Sequence, residues 1–204
     1  MKRSDSPANV PRRQKRREVL LEIAARHFVQ RGFEAASMRD IAADVGIRPS
    51  SIYHHFPSKE DLMLAVYEEG MRRITHAVTA ATAGVADPWQ RLECACAAHL
   101  RSLLEGGDLF LALMREAPPS WHHANKRIVR LRDAYESIFT GILSDLRLPP
   151  RFDRHLLRLA LLGAMNWSHQ WYRPGRLTPT KMARQIVSFM RVSLDGQAGN
   201  TADR

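Results

Sequence analysis

Cysteine is scarce: Cys94 and Cys96 are the only two in 204 residues. They stand two apart in a helical stretch, where side chains at that spacing point in different directions, so the pair argues against a disulfide and for a reducing compartment. No apolar run approaches the roughly twenty residues that span a bilayer, and the basic N-terminus lacks the apolar segment of a secretion signal. A cytoplasmic chain without membrane contact is the expectation. The period-two alternation of strands is missing, which predicts an all-α fold. Enzyme signatures are missing too: no glycine-rich phosphate loop, no nucleophile elbow, no histidine pair four apart. The adjacent pairs His54-His55 and His122-His123 diverge by about 100° on a helix, so neither chelates a metal alone. No catalytic residue, metal ligand or cofactor is expected. Zinc or redox sensing through Cys94 or Cys96 is the competing small-site reading, which a metal assay and thiol titration would separate.

Acid is also in short supply. Asp and Glu total 21 against 31 Lys and Arg, leaving a net charge of +10 on an otherwise ordinary globular composition of 45% hydrophobic and 25% charged residues. Residues 1–17 hold Lys2, Arg3, Arg12, Arg13, Lys15, Arg16 and Arg17 against Asp5, and so carry +6 of that charge. A concentrated basic arm is the electrostatic footprint of nucleic-acid binding. A non-specific DNA-compacting protein would explain the charge but not the large apolar remainder of the chain.

The organising stretch runs SMRDIAADVGIRPSSIYHHFPSKE from Ser37 to Glu60. Ser37 is a plausible N-cap with Asp40 three residues on. Met38, Ile41, Ala42 and Val45 give the first short helix an apolar face, and Gly46 stands where a helix ends in left-handed geometry. Pro49 suits the first turn of a second helix. Its outer face offers Arg48, Ser50, Ser51, Tyr53, His54 and His55, while Ile52 and Phe56 point inward. Ser58 with Asp61 opens the next helix. Helix, glycine turn and polar second helix form the helix-turn-helix pattern, whose second helix fits the DNA major groove.

The run Ile-Ala-Ala-Asp-Val-Gly-Ile followed by Ser-Ile-Tyr-His-His-Phe-Pro-Ser-Lys-Glu-Asp-Leu closely resembles the DNA-binding segment of the TetR family of transcriptional regulators, over roughly residues 12 to 65. The resemblance implies a TetR-like all-α chain with a three-helix DNA-binding head and a helical ligand-binding and dimerisation body. It implies phosphate-backbone contacts at Tyr53, His55 and Lys59 and base approach by Arg48, Pro49, Ser50 and His54, with Ser37 and Ser51 beside them. The partners it implies are double-stranded operator DNA, a second copy of the chain and a small effector that releases a repressor. Arg48 is the candidate base reader, because a guanidinium grips guanine through two hydrogen bonds.

In chain order, residues 1–11 read as a disordered basic arm and 12–57 as the head, with the first half of a helix over 58–83 packed on it. Residues 58–195 read as the body and 196–204 as a loose tail. Helices are predicted over about 12–31, 58–83, 87–105, 108–116, 120–146, 152–172 and 178–194, punctuated by Gly84, Pro118-Pro119, Pro149-Pro150 and Pro174-Gly175. His27, on the apolar face of the first helix, reads as a packed histidine. Leu156 to Met165 is apolar nearly all round, which calls for burial on every side. With Met182, Ile186, Val187, Phe189, Met190 and Leu194 it predicts a dimer surface in which Leu161 and Val187 are central.

The segment Asn166-Trp167-Ser168-His169-Gln170-Trp171-Tyr172-Arg173-Pro174-Gly175-Arg176 is similar to a motif common in TetR-family regulators of fatty-acid and sterol catabolism, several of which respond to acyl-coenzyme A thioesters. Arg176 replaces the motif's second glycine. An acyl chain would need an apolar lining, for which Phe110, Met114, Trp121, Tyr135, Phe139, Trp167 and Trp171 are candidates. Coenzyme A phosphates would need cations, supplied by Arg173, Arg176, Lys126 or Arg127. The alternative is a repressor of efflux or another pathway that answers to an unrelated hydrophobic molecule.

Overall fold

The computed structural model describes residues 10–114 and 122–195. Residues 1–9 of the expected arm, the candidate Trp121 and the expected tail at 196–204 lie outside them. Among the described residues the order is α1 (Val10–Ala35), α2 (Met38–Val45), α3 (Pro49–His55), α4 (Lys59–Thr82), α5 (Pro88–Glu105), α6 (Asp108–Ala112), α7 (His122–Ser144), α8 (Arg154–Trp171) and α9 (Pro179–Asp195), with no strand. The all-α expectation holds. None of these helices is long and apolar enough to cross a membrane.

The chain divides into two compact units, Met1–Gly70 with Asp108–Val129, and Met71–Gly107 with Arg130–Arg204. In the first unit, Leu21, Ala24, Ala25 and Phe28 of α1 are buried with Ile41 and Ala42 of α2, Ile52 of α3 and Leu62 and Val66 of α4. Each completely buried Leu, Ile or Phe contributes roughly 1.5–3 kcal/mol. Gly32 departs from helical geometry at φ 78°, ψ 165°, so α1 breaks there before a last short turn to Ala35. Glycine alone takes that backbone conformation without strain. Gly70 of α4 serves a different purpose. A Cβ placed there would stand 3.0 Å from Leu113 Cδ2 and 3.2 Å from the Leu109 carbonyl, so the bare glycine lets the chain around α6 lie directly on α4.

In the second unit α5 packs along α9 and against α8. Leu92, Ala95, Cys96, Leu100 and Leu103 of α5 are buried, as are Leu161, Leu162 and Met165 of α8 and Met182, Ala183 and Val187 of α9. The helix starts follow from the sequence. Asp87 accepts from the Gln90 N–H at 2.7 Å with Pro88 in the first turn. Asp153 accepts from the His155 and Leu156 N–H groups, and those two bonds hold its carboxyl below the usual carboxylate range. Arg154 then donates to the carbonyls of Leu143 and Leu146 at the end of α7. Arg91 pairs with Asp145 at 2.7 Å, and Arg158 pairs with Glu136.

Within one chain the α8 segment is buried on one side only: Leu156 is 64% exposed, and Leu159, Ala160, Gly163 and Ala164 are exposed with it. One expectation needs correction. Leu161 and Val187, expected at the centre of an external surface, belong instead to the unit's own core.

Candidate nucleic-acid interface

Ser37 caps α2, its hydroxyl oxygen accepting from the Arg39 N–H at 3.2 Å and the Asp40 N–H at 3.4 Å. Both bonds use the oxygen's lone pairs, so its O–H proton remains to donate outward. Gly46 closes the helix in left-handed geometry at φ 74°, ψ 33°, and the N–H groups of Gly46 and Ile47 turn back to the Ala42 and Ala43 carbonyls. The chain thereby leaves α2 within three residues and enters α3 at Pro49. Buried Ile52 and Phe56 anchor the inner side of α3 and fix which side faces out.

Arg48, Pro49, Ser50, Ser51, Tyr53, His54 and His55 are all exposed, as the sequence predicted for that face. Arg48 occupies the N-cap position of α3 but makes no side-chain capping bond. Its guanidinium is therefore not spent on the helix start. Tyr53 is 48% exposed, and the rings of His54 and His55 meet edge to face at 5.5 Å. Lys15, Arg16, Arg17 and Arg39 add exposed cations to the same unit.

Two side-chain ties hold α2 against α1. His27, 5% exposed, sits with Nε2 2.7 Å from Asp44 Oδ2, and Arg31 donates to Asp40 at 2.8 Å. His27 is thus a packed histidine with a polar partner. Lys59 is turned onto the protein. Its ammonium donates to the Glu34 carbonyl at 2.9 Å and the Ala36 carbonyl at 3.2 Å, and lies 4.5 Å from the Phe33 ring centroid. Two of its three N–H donors are occupied and one is left. The start of α4 is clasped to the end of α1 by that single side chain, with Ser58 and Asp61 exchanging hydrogen bonds of 2.7 and 3.0 Å beside it.

The ligand candidates fall into separate groups. Phe110, Met114, Lys126 and Arg127 belong to the first unit, where Arg127 is paired with Glu68. Tyr135 and Phe139 are buried in the second unit with ring centroids 5.7 Å apart. Trp167 and Trp171 share one face of α8 as their spacing requires, but that face is open: they are 65% and 51% exposed in the single chain. Arg173 and Arg176 are exposed beyond it, Arg173 donating to the Tyr172 carbonyl. The residue missed from the sequence is His99, whose Nδ1 lies 2.6 Å from the Tyr135 hydroxyl; Cys96, weighed above for zinc or redox sensing, is buried, and burial holds its thiol protonated. Among the described residues no three His, Cys, Asp or Glu side chains cluster as metal ligands would.

Residues 20–66 match the model of bacterial regulatory proteins of the tetR family, and residues 85–194 match a tetracyclin repressor-like C-terminal domain. The chain is 26% identical over 181 residues to the HTH-type transcriptional repressor KstR2 of Mycobacterium tuberculosis (strain CDC 1551 / Oshkosh), covering 86% of this chain and 90% of that one. It is 28% identical over 199 residues to KstR2 of Rhodococcus jostii (strain RHA1), covering 90% and 91%. The crystal structure of AibR in complex with isovaleryl coenzyme A and operator DNA superposes with a TM-score of 0.76 at 26% identity, over 85% of this chain and 97% of that chain.

Proposed function

The chain belongs to the TetR family of bacterial regulatory proteins, DNA-binding regulators and not enzymes, and we propose that it is a homodimeric repressor released from its operator by an acyl-coenzyme A thioester. The observation that carries DNA reading is the exposed outer face of α3, held rigidly by buried Ile52 and Phe56 on a unit rich in exposed cations. Arg48 reads a base edge and Pro49, Ser50 and His54 approach neighbouring bases. Ser37, Ser51, Tyr53, His55 and the remaining N–H of Lys59 meet phosphates, which fix register without carrying sequence information. Binding-site selection with wild type and Arg48→Ala tests this. The variant should lose preference at one base position by about 1–3 kcal/mol, and an unchanged selected site would remove Arg48 from the reading role.

Two copies joined through α8 and α9 account for the open apolar surface. Leu156, Leu159, Trp167 and Trp171 of α8 and Phe189 and Val192 of α9 are large apolar side chains left exposed by a single chain, and large apolar side chains gathered on two helices mark an interaction surface. A dimer presents two heads, and DNA holds both only when their separation matches the half-site spacing. An effector that favours another spacing releases the operator, and by reciprocity the operator weakens the effector.

The acyl-coenzyme A reading is supported by the Asn166–Gly175 segment and by the likeness to AibR, whose solved complex holds isovaleryl coenzyme A and operator DNA. Tyr135 and Phe139 offer apolar lining in the body, and Arg173 and Arg176 offer cations for phosphates. A panel of acyl-coenzyme A esters should raise the melting temperature, by about 2.7 kcal/mol of stabilisation at 100 times the dissociation constant, and should release operator DNA. Replacing Arg173 and Arg176 together by Ala should cost affinity for the ester far more than for the free acid. If no ester does either while another hydrophobic molecule does, the chain is a TetR-type repressor of efflux or of another pathway.

A further inference from the structure

Two demands meet at the start of α2. The first turn of a helix favours an acid, and Asp40 supplies one there. A phosphate approaching the same turn is repelled by it. The Ser37 hydroxyl oxygen accepts from the Asp40 N–H at 3.4 Å, so hydroxyl and carboxylate belong to one turn. Lys59 reaches the same corner, its ammonium donating at 3.2 Å to the carbonyl of Ala36, the residue before Ser37. The hydroxyl and the ammonium that meet phosphates in the proposed interface therefore stand with an acid beside them. Charges are felt over about 8 Å at physiological ionic strength. One helical turn rises only about 5.4 Å, so a phosphate held at Ser37 lies within range of Asp40.

Arg31 answers that acid. It is the last residue of α1 before the break at Gly32, and its guanidinium donates to Asp40 Oδ2 at 2.8 Å. The two side chains are 50% and 51% exposed, and a pair so open to water contributes little to folding. Its weight falls instead on the charge that the unit shows to DNA. With Arg31 in place the pair is neutral; without it the first turn of α2 carries a lone carboxylate. Asp44, the other acid of α2, lies one turn further on, at the far end from Ser37, where His27 holds it. We propose that Arg31 is a positioning residue of the DNA interface, holding and neutralising the Asp40 carboxylate so that a phosphate can bind at Ser37 and Lys59. It sets affinity for any duplex and not the choice of sequence, because phosphate contacts carry no sequence information.

The inference rests on the phosphate contacts proposed for Ser37 and Lys59. The full-length wild type is compared with Arg31→Ala, Arg31→Lys, Asp40→Asn and the double variant Arg31→Ala with Asp40→Asn, each first shown to fold by its own melting curve. Anisotropy titrations use one duplex carrying the selected site and one of unrelated sequence. Arg31→Ala should bind both duplexes about fivefold more weakly, the effect of one uncompensated charge a few ångströms away in water. That deficit should narrow as salt rises, because screening weakens a charge effect and leaves a distorted pose untouched. Arg31→Lys keeps the charge and should bind as the wild type does. Asp40→Asn should bind more tightly than the wild type, and the double variant should return to within about twofold of it. A double variant as weak as Arg31→Ala would show that Arg31 does not act through Asp40 and would overturn the inference. So would an Arg31→Ala that matches the wild type, or an Asp40→Asn that binds no more tightly. Lys59→Met, run alongside, separates the two readings. Unchanged affinity in Lys59→Met would remove the phosphate contact and the inference with it, whereas a weakened Lys59→Met beside an unaffected Arg31→Ala would remove the inference alone.

Discussion

The imidazole of His27, buried on α1, meets the carboxylate of Asp44 at 2.7 Å near the end of α2. Asp44 itself is 58% exposed, so the tie joins a core residue to a surface one. It fixes the end of the helix that leads into the Gly46 turn, and through that turn the pose of α3. Asp44→Ala should cost about 1 kcal/mol of stability and weaken operator and non-operator DNA alike, because pose and not base contact is lost. Asp44→Asn keeps an oxygen for the imidazole and should stay near wild type. Denaturant melts paired with anisotropy titrations on two DNA sequences make the comparison, and a selective loss on the operator alone would contradict it.

Lys59 joins structure and DNA binding in one side chain. Its ammonium clasps the Glu34 and Ala36 carbonyls and faces the Phe33 ring. Lys59→Met should therefore lower the melting temperature as well as reduce the salt dependence of DNA binding by about one unit of slope. A variant that changed the salt slope with no effect on melting would show that the clasp has no energetic weight.

Association should be tested at positions that a single chain leaves exposed. Leu159→Asp and Val192→Asp place charge on the open surfaces of α8 and α9. Each should shift a micromolar dimer towards monomer in sedimentation and weaken operator binding in step, while leaving the melting of the monomer close to wild type. Leu161→Asp and Val187→Asp, both inside the core, should instead unfold the unit. Were Leu159→Asp and Val192→Asp to remain fully dimeric, α8 and α9 would not form the seam.

His99 sets a pH dependence. The native ring stays neutral down to about pH 4, whereas in the unfolded chain it takes a proton near 6.5. Below 6.5 the unfolded state binds the additional proton, so stability falls as pH drops from about 6.5 to 4 and the term is flat above 6.5. By pH 5 the loss should be about 2 kcal/mol. His99→Phe should lack this slope, and urea midpoints at pH 7 and pH 5 for both proteins would reveal it. An identical pH response in the two would contradict it.

The DNA-binding unit was legible because its signals are local. Ser37, Gly46 and Ser58 each set a helix end through bonds to residues within four positions, Pro49 sets one by its fixed φ in the first turn, and the apolar spacing of Ile52 and Phe56 leaves Tyr53 and His54 no side but the outer one. Helix placement in the second unit was legible for the same reason, since Asp87 and Asp153 cap within three residues. What stayed hidden depends on distant partners. His99 and Tyr135 are 36 positions apart, and nothing near His99 in the chain marks it as polar and buried. Lys59 reaches back 25 positions to Glu34, so the sequence offered only the phosphate contact that the resemblance implies and not the clasp. The Trp167 and Trp171 spacing correctly put both rings on one face but carried no information on which face packs.

Gly70 imposes an order on change. With Leu113 Cδ2 at 3.0 Å and the Leu109 carbonyl at 3.2 Å from where a Cβ would stand, even alanine there requires a neighbour to yield. The leucine tip can swing aside, whereas the carbonyl is backbone and would have to give by a few tenths of an ångström. A lineage that trimmed Leu113 first would still meet Leu109, so the two contacts are relieved by different means. The pair Gly70→Ala with Leu113→Ala should therefore be better tolerated than Gly70→Ala alone, the backbone contact being what remains. Position 70 thus sets an order of change, in which room at Leu113 comes before any side chain on α4 at that point.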